Sequence, residues 1–305
     1  MDWLIEKMFL YPRRATAVVL VVLVLVGSSA WWLFIWQDPH RVFDDMIAGN
    51  LETLSVTRTI TAGNATQSID QTVRLQMGST NAADWLVLAK QNGATVRTES
   101  IGTQASGYIR YVNIAPAKQP ANSKQTDFSS VLNIWAHADG KTDANLKTLF
   151  AQSLFDITSA PTPPIGNLPD DQRENILSFI RDQKVFTPDF NTVKSETVGG
   201  RSVYTYDVSV QLAAYARMMQ AFAHDLGMNT LDTLDPEQYV NLQPIKVTMS
   251  VDRASHQLVK LVYGNSGYVQ TYGDWGQATP IVLPKDTITT TELQSRLQSL
   301  SGAHS

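Results

Sequence analysis

Twenty-two consecutive residues, 15–36, carry no charge and read ATAVVLVVLVLVGSSAWWLFIW. A helix rises about 1.5 Å per residue, so this stretch is roughly 33 Å long and can cross the hydrocarbon core of a bilayer. The expectation is one N-terminal transmembrane helix, with the rest of the chain on a single side. Lys7, Arg13 and Arg14 precede it, and the first Lys or Arg beyond it is Arg41. The positive-inside bias then puts residues 1–14 in the cytoplasm and residues 37–305 outside, with Trp31, Trp32 and Trp36 at the outer interface. The competing reading is a signal peptide cleaved after Ala30, with Ser28-Ser29-Ala30 as the small-residue site. Cleavage would expose Trp-Trp-Leu-Phe-Ile-Trp as a new N-terminus, which disfavours it. Both readings imply export.

The chain carries a net charge of −4, and three basic and two acidic residues lie before residue 38, so the exported part carries −5. A mildly acidic surface disfavours nucleic acid as a partner. The absence of cysteine removes disulfides, thiolate metal sites, cysteine nucleophiles and a lipidated cysteine anchor. A domain of this length can still bury an adequate core.

Beyond the anchor, Val42, Phe43, Met46, Ile47 and Leu51 recur at helical spacing, and Asp38-Pro39 makes a helix start. That helix follows the anchor after only a residue or two and holds the domain near the bilayer. Period-two runs then predict antiparallel strands at 54–62, 67–77, 85–91, 94–101 and 107–114, with Asn92-Gly93 as a two-residue hairpin. Arg58 falls on the apolar side of the first strand. Such a residue ordinarily snorkels to water from a strand end; the alternative is a charge inside a cavity.

Residues 115–130 read as a polar loop, and an insertion of loop and helix extends over 115–190, including helices at 143–154 and at 170–182, the second capped by Asp170. It forms a lid, a subdomain or a disordered insertion. Strands resume at 194–198 and 201–210, joined by Gly199-Gly200. On the second of them Tyr204, Tyr206, Val208 and Val210 share a face. Residues 212–226 give an amphipathic helix whose stripe is Leu212, Tyr215, Ala216, Met219, Phe222, Ala223 and Leu226. Strands at 245–251, 258–263 and 267–275 follow, then a C-terminal tail over 286–305 with a weakly packed helix.

Catalytic patterns are absent. The five histidines, His40, His137, His224, His256 and His304, show no metal-ligand spacing, and no nucleophile elbow, phosphate loop or calcium loop occurs. Asp44-Asp45 and Asp170-Asp171 sit where helix capping and dipole effects account for them. The reading is a non-enzyme with no metal and no cofactor. The 212–226 helix is either core against the sheet or the wall of an apolar cavity, and Met218, Met219 and Phe222 give it an adaptable surface.

Val251-Asp252, Leu258-Val259-Lys260, Tyr272-Gly273-Asp274-Trp275-Gly276 and Ile281-Val282-Leu283-Pro284 form a strand–turn–strand–strand series ending in a short extended segment. This series resembles the C-terminal half of the LolA/LolB and LppX-like lipoprotein-carrier superfamily, over about residues 40–114 and 194–285. The resemblance implies an α+β domain at 38–285, a curved antiparallel half-barrel wrapping helices, that binds a lipid or other amphiphile without covalent chemistry. The expected cavity residues are Tyr204, Tyr206, Tyr215, Met219, Phe222 and Leu226. The bilayer, through residues 15–36, is the first partner. The alternative is an interaction domain of a cell-envelope complex with a filled core, and a hydrolase ranks behind both.

Overall fold

A computed structural model of the chain describes residues 31–64, 66–78, 80–117, 126–138, 149–154, 161–264, 268–277 and 279–302, with single positions 20, 21, 24 and 28. Most of the expected membrane span lies outside these residues, as do residues 118–125, the first part of the helix expected at 143–154, the turn at 265–267 and His304. Among the described residues no helix is long and apolar enough to cross a membrane.

Local sequence sets the hairpins. β1 (Ser55–Gly63), β2 (Gln67–Gln76), β3 (Ala82–Gln91), β4 (Ala94–Thr103) and β5 (Gly107–Ala115) pair in sequence order, each antiparallel to the next. Asn92 and Gly93 turn β3 into β4 with φ of +50° and +84°, the left-handed pair that a tight hairpin requires. Later come β7 (Phe186–Pro188), β8 (Lys194–Val198), β9 (Arg201–Val210), β10 (Ile245–Asp252), β11 (Leu258–Tyr263) and β12 (Val269–Gly273). Two short strands, β6 (Ala136–His137) and β13 (Ile288–Thr289), extend the far edge.

These strands form one sheet in the order β13-β6-β5-β4-β3-β2-β1-β12-β11-β10-β9-β7, with β8 also on β9. It is curved and unclosed, and antiparallel apart from the β13–β6 pair. The joint between its two halves is β1 against β12, where Arg58 faces Tyr272 and Ile60 faces Gln270. No short loop connects that pair. It forms because both strands carry an apolar face that needs the same core.

Helices cover that face. α1 (Pro39–Asn50) is capped by Asp38, whose carboxylate accepts from the His40 and Arg41 amides. α2 (Leu149–Leu154) lies on β4 so closely that a Cβ on Gly102 would fall 2.8 Å from Leu149 Cβ. α3 (Asp170–Asp182) begins after Pro169; Asp170 is its first residue rather than its cap, and pairs with Arg173. α4 (Leu212–Asp225) sits deepest, with Tyr215, Met218, Met219 and Phe222 fully buried. The extended segment 161–168 threads beside it. Gly166 and Leu168 donate backbone hydrogen bonds to Asn50 and Leu51 at the end of α1.

One core runs from Val56, Val73 and Leu75 through Met46, Tyr206, Tyr215 and Phe222 to Met249 and Leu261. A smaller cluster joins Val131 and Ala136 to Leu293 of α5 (Thr290–Gly302), with Leu293 only 3% exposed. Residues from 286, expected as a tail, therefore contribute an edge strand and a packed helix. Arg58 does not snorkel. It lies in mid-strand and is 6% exposed.

Candidate functional site: a cleft beside the first helix

α1 and α3 diverge where β7 enters the sheet. Between them lies an open cleft of about 340 Å³. Phe43 and Ile47 project from α1, Ile180 from α3 and Phe186 from β7, and all four are buried at its base. Leu177 and Phe190 are half-buried and form its walls. Phe190 comes from a single 3-10 turn after Pro188, held by the Asp189 carboxylate, which accepts from the Asn191 amide. Its ring stacks on His40 at 3.6 Å between centroids and meets Phe43 edge-on at 6.3 Å.

The rim is polar. Arg181 and Lys184 stand on one side, and neither takes part in an ion pair among the described residues. Lys184 holds an unusual backbone. Its amide donates to the Arg181 carbonyl at 3.2 Å and the Val185 amide to the Ile180 carbonyl at 3.0 Å, which is the pattern that ends a helix through a left-handed residue. That position favours glycine, yet Lys184 occupies it at φ +47°. A strained backbone position thus carries a cation at the edge of the cleft. Asp44 stands on the α1 side. Partial burial raises its carboxyl above the usual range, Asp45 adds to this, and His40 and Arg181 pull it back.

The expected cavity residues lie elsewhere. Tyr206, Tyr215, Met219 and Phe222 are fully buried in the core, and none of the six lines this cleft. The Tyr215 hydroxyl accepts from the Thr162 amide at 3.1 Å and donates to the Thr162 carbonyl at 2.9 Å. Leu226 is half-buried, and its carbonyl accepts from Gln104 Nε2 at 2.8 Å. Tyr204 and Tyr206 are brought together at the chain's entry into the domain, donating to the Gln37 and Pro39 carbonyls. Trp36 is held there too. Its indole N–H donates to the Ala254 carbonyl at 3.0 Å, and Arg41 lies over its ring. The last tryptophan of the uncharged stretch is therefore docked on the β10–β11 turn. Among the described residues no group of His, Asp and Glu gathers as a metal site.

Sequence reading missed Ile180, Lys184, Phe186 and Phe190. They follow no single period, because a helix end, a left-handed residue, an edge strand and a 3-10 turn supply them in succession. Compared with protein-family models and with characterised proteins, the chain matches none.

Proposed function

We propose that this chain is a single-pass membrane protein whose extracytoplasmic domain holds an amphiphile in the cleft beside α1, without covalent chemistry. The observation that carries this reading is the cleft's composition: an aromatic and aliphatic floor under Arg181 and Lys184, which form no ion pair among the described residues, with Asp44 across from them. A hydrocarbon chain would lie on Phe43, Ile47, Ile180 and Phe186, and an anionic headgroup would meet Arg181 and Lys184. The uncharged stretch 15–36 and the basic residues before it support the anchored topology. Phe190, stacked on the first turn of α1, keeps the cleft close to the point where the chain leaves that anchor. The likeness to lipoprotein carriers supports an amphiphile as the ligand class. An anchored domain would pass its ligand on locally or sense it, rather than ferry it.

An interaction domain of an envelope complex is the second reading, and the sealing of Tyr215, Met219 and Phe222 inside the core favours it.

The test uses the full chain in zwitterionic nanodiscs with a dansylated fatty acid. Saturable binding is expected. Leu177→Trp fills the cleft from a half-buried position and should weaken binding about tenfold, near 1.4 kcal/mol. Lys184→Gln should weaken it a few-fold, as an exposed charge contact does. Absence of saturable binding, or binding indifferent to Leu177→Trp, supports the interaction domain instead.

A further inference from the structure

The sheet buries a charge that no carboxylate balances among the described residues. Arg58 points into the helix-covered face from the middle of β1. One cross-strand row runs Tyr272, Arg58, Val73, Trp85, Ser100 over β12, β1, β2, β3 and β4. Arg58 is 6% exposed, and no carboxylate pairs with it among the described residues. Tyr263 and Tyr272 lie near it, and Arg58 interacts with the Tyr272 hydroxyl through a side-chain hydrogen bond. Burial, above all, pushes the Tyr263 and Tyr272 hydroxyls far above the usual tyrosine range, and Arg58 only partly opposes this. Neither tyrosine becomes a phenolate that could serve as counter-ion. Gln270, fully buried between them, is already engaged: its Oε1 accepts from the Tyr272 hydroxyl, and its Nε2 donates to the Tyr263 hydroxyl at 3.5 Å.

The unsatisfied atoms in this row are both donors. Arg58 Nε and Trp85 Nε1 are buried with no hydrogen-bond partner among the described residues. Native folds pair nearly all such groups, and an unbalanced buried cation is more costly still. A residue that merely needed to fill this space could be Leu or Met. What complements an orphan guanidinium N–H and an orphan indole N–H is a group that only accepts and carries negative charge. A water could supply an acceptor but not the charge.

We propose that Arg58 and Trp85 form the head of a buried oxyanion site that takes a carboxylate or phosphate group. The site lies on β1 and β3, away from the cleft at α1, α3 and β7, and does not depend on it. The oxyanion has two sources, a free small anion or the headgroup of an amphiphile.

The experiment reads thermal unfolding of the full chain in zwitterionic nanodiscs, with ionic strength held by chloride. The probes are acetate, inorganic phosphate, dodecanoate, dodecyl phosphate and dodecanol. An oxyanion probe should raise the melting temperature with the logarithm of its concentration, while dodecanol should not. A rise with acetate or phosphate assigns a free anion; a rise confined to the dodecyl anions assigns a headgroup. Trp85→Phe should reduce the rise, and Arg58→Lys should keep a smaller one. Arg58→Met should abolish it while melting above the wild type without ligand, because the unbalanced charge is gone. Because the proposed cleft would itself take a dodecyl anion, the dodecyl arms and the Arg58 and Trp85 variants are read in the Leu177→Trp background. A rise that persists there and is lost with Arg58→Met separates this site from the cleft. The proposal is overturned if dodecanol matches dodecanoate, if no oxyanion raises the melting temperature, or if Arg58→Met keeps the rise. Should Arg58→Met fail to fold, the comparison of dodecanoate with dodecanol on Leu177→Trp, with and without Trp85→Phe, decides: a rise that Trp85→Phe leaves unchanged overturns the proposal.

Discussion

The indole of Trp36 lies against the imidazole of His256, their centroids 4.4 Å apart at an angle of 26°. His256 is 5% exposed at φ +55°, and its Nδ1 meets the Asp45 carboxylate at 2.9 Å. Asp45 also holds Arg41 at 3.2 Å, and Arg41 lies over Trp36. These four side chains tie the chain's entry, α1 and the β10–β11 turn into one closed ring of contacts. The entry is thereby fixed in direction as well as in position.

Trp36→Ala should break this ring. The variant loses a stacked ring and a hydrogen bond to Ala254. We expect a loss of roughly 1–2 kcal/mol in unfolding free energy. Hydrogen exchange should quicken at the first turn of α1 and in the turn 253–256, and not in β2 or β3. Uniformly faster exchange would refute a local role.

Tyr215→Phe isolates the buried contact between α4 and the 161–168 segment. Removing the hydroxyl leaves the Thr162 amide and carbonyl without that partner. Chemical denaturation should show a cost of about 1–3 kcal/mol. An unchanged midpoint would mean that the segment is held by packing alone.

Gly166 touches the same helix. A Cβ there would lie 2.9 Å from Phe222 Cζ, at a fully buried ring. Gly166→Ala should therefore destabilise by about 1–3 kcal/mol through overpacking. Gly166→Ala combined with Phe222→Leu should recover part of that loss, and a double variant no better than the sum of the two would count against direct contact.

Lys184 sets stability against binding. Lys184→Gly relieves the left-handed residue at the end of α3 and should stabilise the protein by about 1 kcal/mol. The same change removes a cleft cation, so the dansylated fatty acid should bind more weakly. Melting temperature and affinity should thus move in opposite directions.

Asp44 should impose a pH dependence. Its folded-state pKa lies above the ordinary 3.8, because burial disfavours the carboxylate. The protonated form is therefore favoured by folding, a contribution present below 3.8 and lost as pH rises through the raised value. Asp44→Asn should raise the melting temperature at neutral pH, and the gain should vanish at about pH 3. A gain that persists in acid would exclude ionisation as its cause.

Much of the fold is legible in adjacent residues. Alternation in β1 and β2, the Asn92-Gly93 and Gly199-Gly200 turns, the Asp38 cap and the α4 stripe each depend on contacts a few residues apart, so periodicity and turn chemistry report them directly. The same patterns say which face of a helix is buried and not what it is buried against. α4 thus read either as core against the sheet or as a cavity wall, and Met219 and Phe222 are fully buried in the core.

Tertiary structure alone decided the rest. The β1–β12 pairing places Arg58 opposite Tyr272, two residues more than two hundred positions apart, and so encloses a charge that its own strand would have left near water. The cleft arises in the same way, from Phe43 and Ile47 on one helix and from Ile180, Lys184, Phe186 and Phe190 far along the chain. Burial, charge compensation and cavity shape are sums over neighbours in space. A linear pattern specifies the elements, and the meeting of their faces sets the chemistry between them.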